Sequence, residues 1–390
     1  MCSSDLVLGL VWPHGLELLF PPDSLAAVGM TSQLGLVFFM FLVGLEFDPA
    51  MLRGQGRLSL AVSNAGIVVP FLLGAAFSVP LHPRFAPAGV GLLPFCLFMG
   101  AAMSVTAFPV LARILAERHL IRTRVGALTL TSAAVGDVTA WCMLAALVAM
   151  VGSGGIGSAA VTTGLTVAFI LLMWFVARPV LANIGPRGGH GVASDTVSLV
   201  VLLLLGSAAI TEWIGIHALF GAFFLGAVMP REHGLPAMLA EKLEDFVTLV
   251  LLPLFFAYSG LRTEIGLLST PTDWALTVGI ILVASVGKFG GTAAAARLAG
   301  LDLRSSAAIG VLMNTRGLME LVVLNIGLDL GILSPRLFAM MVVMALVTTW
   351  ITSPLLERIF PAARMLAEEA RGEEPTLPTR VPGQIGRAHV

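Results

Sequence analysis

VGALTLTSAAVGDVTAWCMLAALVAMV, residues 125–151, carries one carboxylate, Asp137, at its centre and no other ionisable group except Cys142. About 20 apolar residues cross a bilayer as a helix, so this stretch reads as a membrane span. A charged side chain at that depth costs roughly 2.5–3.5 kcal/mol on insertion scales and marks a functional position. A second deep charge, Lys288, lies in the apolar run 274–296. A buried acid and a buried base in separate spans suit an ion or proton pathway; the plainer reading is a fixed salt bridge that pins two helices.

Composition agrees over the whole chain. Hydrophobic residues make up 57% and charged residues 12%, with mean hydropathy +0.95. Soluble domains hold about 25% charged residues, so this chain has too little polar surface to cover a water-soluble fold. Cys2, Cys96 and Cys142 form no disulfide or metal-ligand pattern. No cofactor motif, metal-ligand set or nucleic-acid-binding pattern is read, and no nucleophile–base pair stands at helical spacing, which argues against an enzyme. Gly287–Lys288 lacks the flanking residues of a phosphate loop. The expected fold is an all-α polytopic membrane protein in the lipid bilayer.

Hydropathy predicts a truncated first span near 6–20 and eleven complete ones. These lie near 26–46, 58–79, 91–117, 123–151, 156–178, 195–212, 214–230, 245–267, 273–297, 303–332 and 335–360. Arginine and lysine alternate across the loops. One side holds Arg53, Arg57, Arg118, Arg122, Arg124, Arg178, Arg187, Arg231, Lys242, Arg297 and Arg304, and the polar tail adds more; the other holds only Arg84, Arg262 and Arg336. The positive-inside rule places the first set and the C-terminus in the cytoplasm, with a bacterial inner membrane as the expected location.

Both termini read as foreign. Residues 384–390, QIGRAHV, match the translation of a common short-read sequencing adapter, and residues 1–6, MCSSDL, match its reverse complement. The expectation is an adapter scar at 1–6, a transmembrane domain at 7–360, the start of a cytosolic linker at 361–383 and a second scar at 384–390. On that reading, membrane structure before the chain and a cytosolic domain after it are missing.

Two spans are interrupted. Within 91–117, Ser104-Val-Thr-Ala-Phe-Pro109 places a proline where it removes an amide donor, which predicts unwinding near 104–108. Ser104 and Thr106 add hydroxyl oxygens there, which suit an alkali cation. Within 303–332, Asn314, Thr315, Arg316, Gly317 and Glu320 interrupt an apolar helix. Paired interrupted helices in corresponding halves of a chain point to an inverted-repeat transporter with its site at the midplane. If the breaks cross, Arg316 and Glu320 are placed to compensate helix dipoles, with Arg113 as a second partner for Glu320.

The strings LVFFMFLVGLEFD (36–48), SVTAFPVLARIL (104–115), AVGDVTAW (134–141), GIHALFGAFFLG (215–226), LPLFFAYSGL (252–261) and MNTRGLMELVVLNIG (313–327) span almost the whole chain. In them the chain resembles the monovalent cation/proton antiporter-2 superfamily, in its branch of plant-type cation/H⁺ exchangers. The resemblance implies a sodium/hydrogen antiporter fold truncated at its N-terminus, a core with two crossing broken helices, and a homodimer. It also makes Asp137 similar to the ion-carrying aspartate and Lys288 to its partner lysine, and puts Ser104, Thr106 and Asn314–Arg316 at the crossing. Relatives often carry Asp or Asn before this aspartate; here Gly136 stands there, which leaves the exchange stoichiometry open.

The function expected is alternating-access exchange of K⁺ or Na⁺ for H⁺, by competition at Asp137 with Lys288 as counter-charge. A ligand-gated K⁺ efflux system and a non-transporting ion sensor remain alternatives. Glu46 and Asp48, at a cytoplasmic span end, are placed either to attract cations or simply as a solvated helix end. His217 is read as a packing histidine rather than a pH sensor.

Overall fold

A computed structural model describes residues 25–46, 57–118, 120, 123–152, 156–184, 194–231 and 234–359. The expected truncated span near 6–20, the linker and both terminal scars lie outside the described residues. Among the described residues, nine helices are long and apolar enough to cross a membrane, or ten when one bent pair is taken as a single span. With the shorter apolar helix Ala218–Val228, each of the eleven complete spans expected from hydropathy finds a helix.

In chain order these are α1 (Leu25–Glu46), α2 (Arg57–Ser78), α3 (Leu92–Ser104) and α4 (Phe108–Glu117), which form one broken span, and α5 (Arg124–Gly152), which carries Asp137. Next come α6 (Ile156–Leu172), prolonged to Ile184, α7 (Ser194–Ile214), α8 (Ala218–Val228) and α9 (Leu235–Phe246), prolonged to Leu261. Last are α10 (Pro271–Ser285), prolonged to Leu298, the bent pair α11 (Leu303–Met313) and α12 (Leu318–Asp329), and α13 (Pro335–Ile359).

Three of these helices continue through a single wide π turn. Met173–Ala177 and Val247–Leu251 each sit just before a proline, Pro179 and Pro253, whose missing amide cannot close an ordinary turn. The third, Val286–Gly290, contains Lys288 between Gly287 and Gly290. Proline does not explain it, and it falls on a candidate functional residue, where such turns are frequent.

The span expected at 156–178 runs on to Ile184, and two others differ more tellingly from their hydropathy limits. The expected span 214–230 shrinks to the eleven residues of α8, because Gly215 turns the chain at φ 94° and Pro230 follows its end. The expected span 245–267 instead starts at Leu235. Its first turns carry Glu241, Lys242, Glu244 and Asp245, which end the apolar run, yet Leu235, Leu239 and Leu243 recur every fourth residue and are buried. That is an amphipathic stripe rather than an apolar run.

The helices sort into two bundles. In one, α1 packs on α8 and α9, and α7 packs on α8. The α1–α8 crossing is a backbone contact: a Cβ on Gly44 would meet the Phe223 carbonyl at 2.3 Å, and one on Gly226 would meet that of Phe41 at 2.3 Å. Small residues of this kind let membrane helices approach closely where lipid supplies no hydrophobic drive. In the other bundle, α2 packs against α3, α5 and α10, while α13 packs against α10, α11 and α12. Each half of this second bundle therefore has a continuous helix, a broken one and another continuous one (α2, α3/α4, α5 and α10, α11/α12, α13). Large apolar side chains such as Trp213, Leu298 and Trp350 remain exposed, 83%, 89% and 77% respectively, as lipid-facing positions require.

Candidate functional site: the crossing of two broken helices

The first broken span ends its opening helix at Ser104, runs extended through Val105–Ala107, and restarts at Phe108 with Pro109 in the first turn. Proline suits that position because its missing amide would be unbonded there anyway. The second span ends α11 at Met313, passes through Asn314–Gly317, and restarts at Leu318 with a bend of 45°. The two interruptions touch: the Ala107 amide donates to the Thr315 carbonyl at 3.1 Å, and a Cβ on Gly317 would meet Val110 Cγ2 at 2.8 Å.

Backbone carbonyls freed at that depth need partners, and cationic side chains supply them. Arg316, fully buried, donates to the carbonyls of Ala102 at 3.2 Å and Met103 at 2.6 Å. Lys288, also buried, donates to the carbonyl of Ser104. Both cations therefore sit at the C-terminal, negative end of α3. Glu320, in the first turn of α12, ion-pairs with Arg316 at 2.7 Å, both side chains fully buried. The Ser104 and Thr315 hydroxyls bond back to their own helices, on Ala101 and Leu312.

Asp137 occupies the adjacent helix α5 and is 6% exposed. Its Oδ1 has no hydrogen-bond partner among the described residues. Lys288 and Glu46 both act on it through space, but it makes no direct ion pair with Lys288, whose ammonium is engaged by Ser104. Thr106 is buried in the extended segment. The Asn314 amide reaches Ser285 Oγ at 3.5 Å while its Oδ1 is left without a partner.

Not every predicted residue joins this centre. Arg113 does not reach Glu320: it is exposed and ion-pairs with Glu117, one turn on, because Leu111 and Leu115 take the buried face of α4 and Arg113, two residues from each, lies on the other. Glu46 ends α1 as an exposed residue. Asp48 lies outside the described residues. His217 caps α8, its ring accepting the Leu219 amide, and burial holds its pKa below the ordinary histidine value. Sequence reading missed Thr349 on α13, whose hydroxyl accepts the Arg316 amide at 3.0 Å and donates to the Arg316 carbonyl at 2.7 Å. Nothing in the string VTTW distinguishes it from an ordinary helix threonine.

A family model described as sodium/hydrogen exchanger, transmembrane, matches residues 6–360. The chain belongs to the sodium/hydrogen exchanger family. Within that family it is 42% identical to the Na(+)/H(+) antiporter NhaS4 of Synechocystis, over 91% of this chain and 88% of that protein. It is also 42% identical to Cation/H(+) antiporter 17 of Arabidopsis thaliana, over 90% of this chain but 43% of that protein. K(+)/H(+) antiporter 1 of Saccharomyces cerevisiae is 34% identical, over 90% of this chain and 41% of its own length. The chain thus spans most of the cyanobacterial relative and less than half of the plant and yeast ones. The fold of this exchanger is similar to that of the sodium proton antiporter MjNhaP1 from Methanocaldococcus jannaschii, with TM-score 0.63 at 16% identity, covering 95% and 92% of the two chains.

Proposed function

We propose that this protein exchanges a monovalent cation, K⁺ or Na⁺, for H⁺ across the membrane, with the two competing at Asp137. The observation that carries the reading is the contrast between the charges. Arg316 and Glu320 are ion-paired with each other and Lys288 holds the Ser104 carbonyl, although Arg316 Nε and Glu320 Oε1 are themselves left without partners. The Asp137 carboxylate, also buried, has no cation in direct contact among the described residues and an unpartnered Oδ1. An ionised carboxylate without a bonded counter-charge is costly in a membrane interior. A proton or an alkali cation would neutralise it, and one site that needs either but not both gives exchange.

Lys288 sits close enough to act electrostatically on Asp137 while its ammonium holds the end of α3. Its role in this mechanism is a fixed counter-charge that limits the affinity for a second cation. The carrier step is movement of the bundle that contains α2, α5 and the two broken helices against the bundle built on α1, α8 and α9, so that Asp137 faces each side in turn. Orientation with the basic loops in the cytoplasm, and pairing of two copies, belong to the same proposal.

The test is dissipation of an imposed pH gradient in membrane vesicles on addition of K⁺ or Na⁺, with Asp137→Asn alongside. Exchange driven by one of the ions in the parent protein, falling to background in the variant, is expected. Full exchange by Asp137→Asn would overturn the assignment of the site. No exchange with either ion in folded parent protein would favour a gated channel or a sensor instead.

A further inference from the structure

We propose that the hydroxyl of Ser63, on α2, is a further ligand of the transported cation, filling the space beside Asp137 that Gly136 leaves open. This rests on the antiport reading and adds a residue that determines its cation affinity.

Ser63 is 1% exposed, and its Oγ has no hydrogen-bond partner among the described residues. Buried hydroxyls on neighbouring helices behave differently. Thr129, Thr292 and Thr348 each donate to the carbonyl one turn back on their own helix, at 2.6, 2.6 and 2.8 Å. For Ser63 the corresponding carbonyl is that of Ser59, which already accepts the Ser132 hydroxyl of α5 at 3.3 Å. A buried hydroxyl without a partner is destabilising, so its presence calls for an occupant or a function.

The direction in which it faces supplies the occupant. The Ser59–Ser132 contact and the Ser63–Gly136 contact lie one turn apart along the same α2–α5 seam, since both residues advance by four. A Cβ on Gly136 would lie 3.7 Å from Ser63 Oγ. The hydroxyl oxygen thus rests against the residue that precedes Asp137, whose own Oδ1 is unpartnered. Any longer side chain at position 136 would project into this space; glycine leaves it to the serine.

On its far side from α5 the helix is held by the extension of α10. A Cβ on Gly66 would meet Thr292 Cγ2 at 2.7 Å, and one on Gly287 would meet Pro70 Cα at 2.9 Å. So α2 is wedged between the helix of Asp137 and the π turn of Lys288, and Ser63 cannot rotate away with its helix. Ser306 is also buried without a partner, but it lies in the first turn of α11 and has no such relation to Asp137. A neutral hydroxyl oxygen against the residue that precedes a carboxylate offers, with it, the hard oxygen donors that alkali cations take.

The experiment measures exchange in vesicles against K⁺ and Na⁺ concentration for the parent protein, Ser63→Ala, Ser63→Cys and Ser63→Thr. Stabilisation of the purified proteins against thermal unfolding by K⁺ or Na⁺ alone is measured in parallel. Loss of one neutral ligand should raise KM for the transported ion roughly fivefold, with little change in maximal rate. Ser63→Cys, which keeps the volume but offers soft sulfur, should behave like Ser63→Ala, and Ser63→Thr should restore the parent KM. Ion-induced stabilisation should shift to higher concentration in step with KM. If the parent exchanges and the Ala and Cys variants keep its KM and ion-induced stabilisation, the ligand assignment is wrong while antiport stands. If all three variants lose maximal rate equally at unchanged KM, Ser63 is a packing residue and the proposal also fails. A parent protein that shows neither exchange nor ion-induced stabilisation removes the antiport reading, and this inference with it.

Discussion

At the scale of single residues, the crossing is an exercise in satisfying charge without water. Arg316 reaches two carbonyls and a carboxylate with no exposed surface. Removing one partner of a buried ion pair strands the other, at a cost of about 3–5 kcal/mol. Glu320→Ala and Arg316→Ala should each destabilise the purified protein by that order. The double variant should cost clearly less than the two together, since no charge is stranded. Chemical unfolding in detergent checks this, and strict additivity would show that the pair is not coupled. On the proposed mechanism Asp137 is the opposite case, a charge whose neutraliser comes from solution.

At the scale of elements, the second broken span depends on how its first half begins. Asp302 caps α11, its Oδ2 accepting the Arg304 amide at 3.1 Å and the Ser305 amide at 3.2 Å. Its pKa is held below the usual aspartate value, first by the Ser305 hydroxyl and then by these amides. A carboxyl with a depressed folded pKa contributes stability above its unfolded pKa, near 3.9, and loses it as pH falls through the folded value. Asp302→Ala should cost about 1 kcal/mol at neutral pH, and the difference from the parent should vanish in strong acid. Thermal unfolding as a function of pH measures both. A cost that persists unchanged at the acid end would mean that the cap does not act through its charge.

At the scale of the molecule, the proposed exchange moves the two bundles past each other, and a polar bridge between them lies at Arg262. Arg262, just past the end of α9, donates to Asn325 at 3.1 Å and Asp329 at 2.6 Å on α12, and Asn325 donates to Ser259 at 2.9 Å. This bridge links a helix of the α1 bundle to the second half of a broken helix. Ser259→Cys with Asn325→Cys, in a background free of Cys2, Cys96 and Cys142, should form a disulfide on oxidation. Exchange should then stop and return on reduction. Full exchange by the oxidised protein, with the crosslink verified by mass, would place the motion elsewhere.

The amino-acid sequence by itself determined what depends on local chemistry. Apolar run length located the spans, Pro109 and the polar string at 314–317 located the breaks, and a lone carboxylate in 27 apolar residues marked Asp137. Burial in a membrane leaves few ways to place a charge or to free an amide, so those signals survive in one dimension. Contacts between helices distant in sequence were decided only by the tertiary structure. Arg113 and Arg316 read as partners for Glu320, yet only Arg316 points inward, because Leu111 and Leu115 take the buried face of α4 and leave Arg113 on the other. Thr349 became visible only once α13 lay beside the break, and Ser63 only once α2 was wedged against Gly136. A hydroxyl on an apolar helix carries no mark of which neighbour it will face; packing assigns that neighbour, and with it the role.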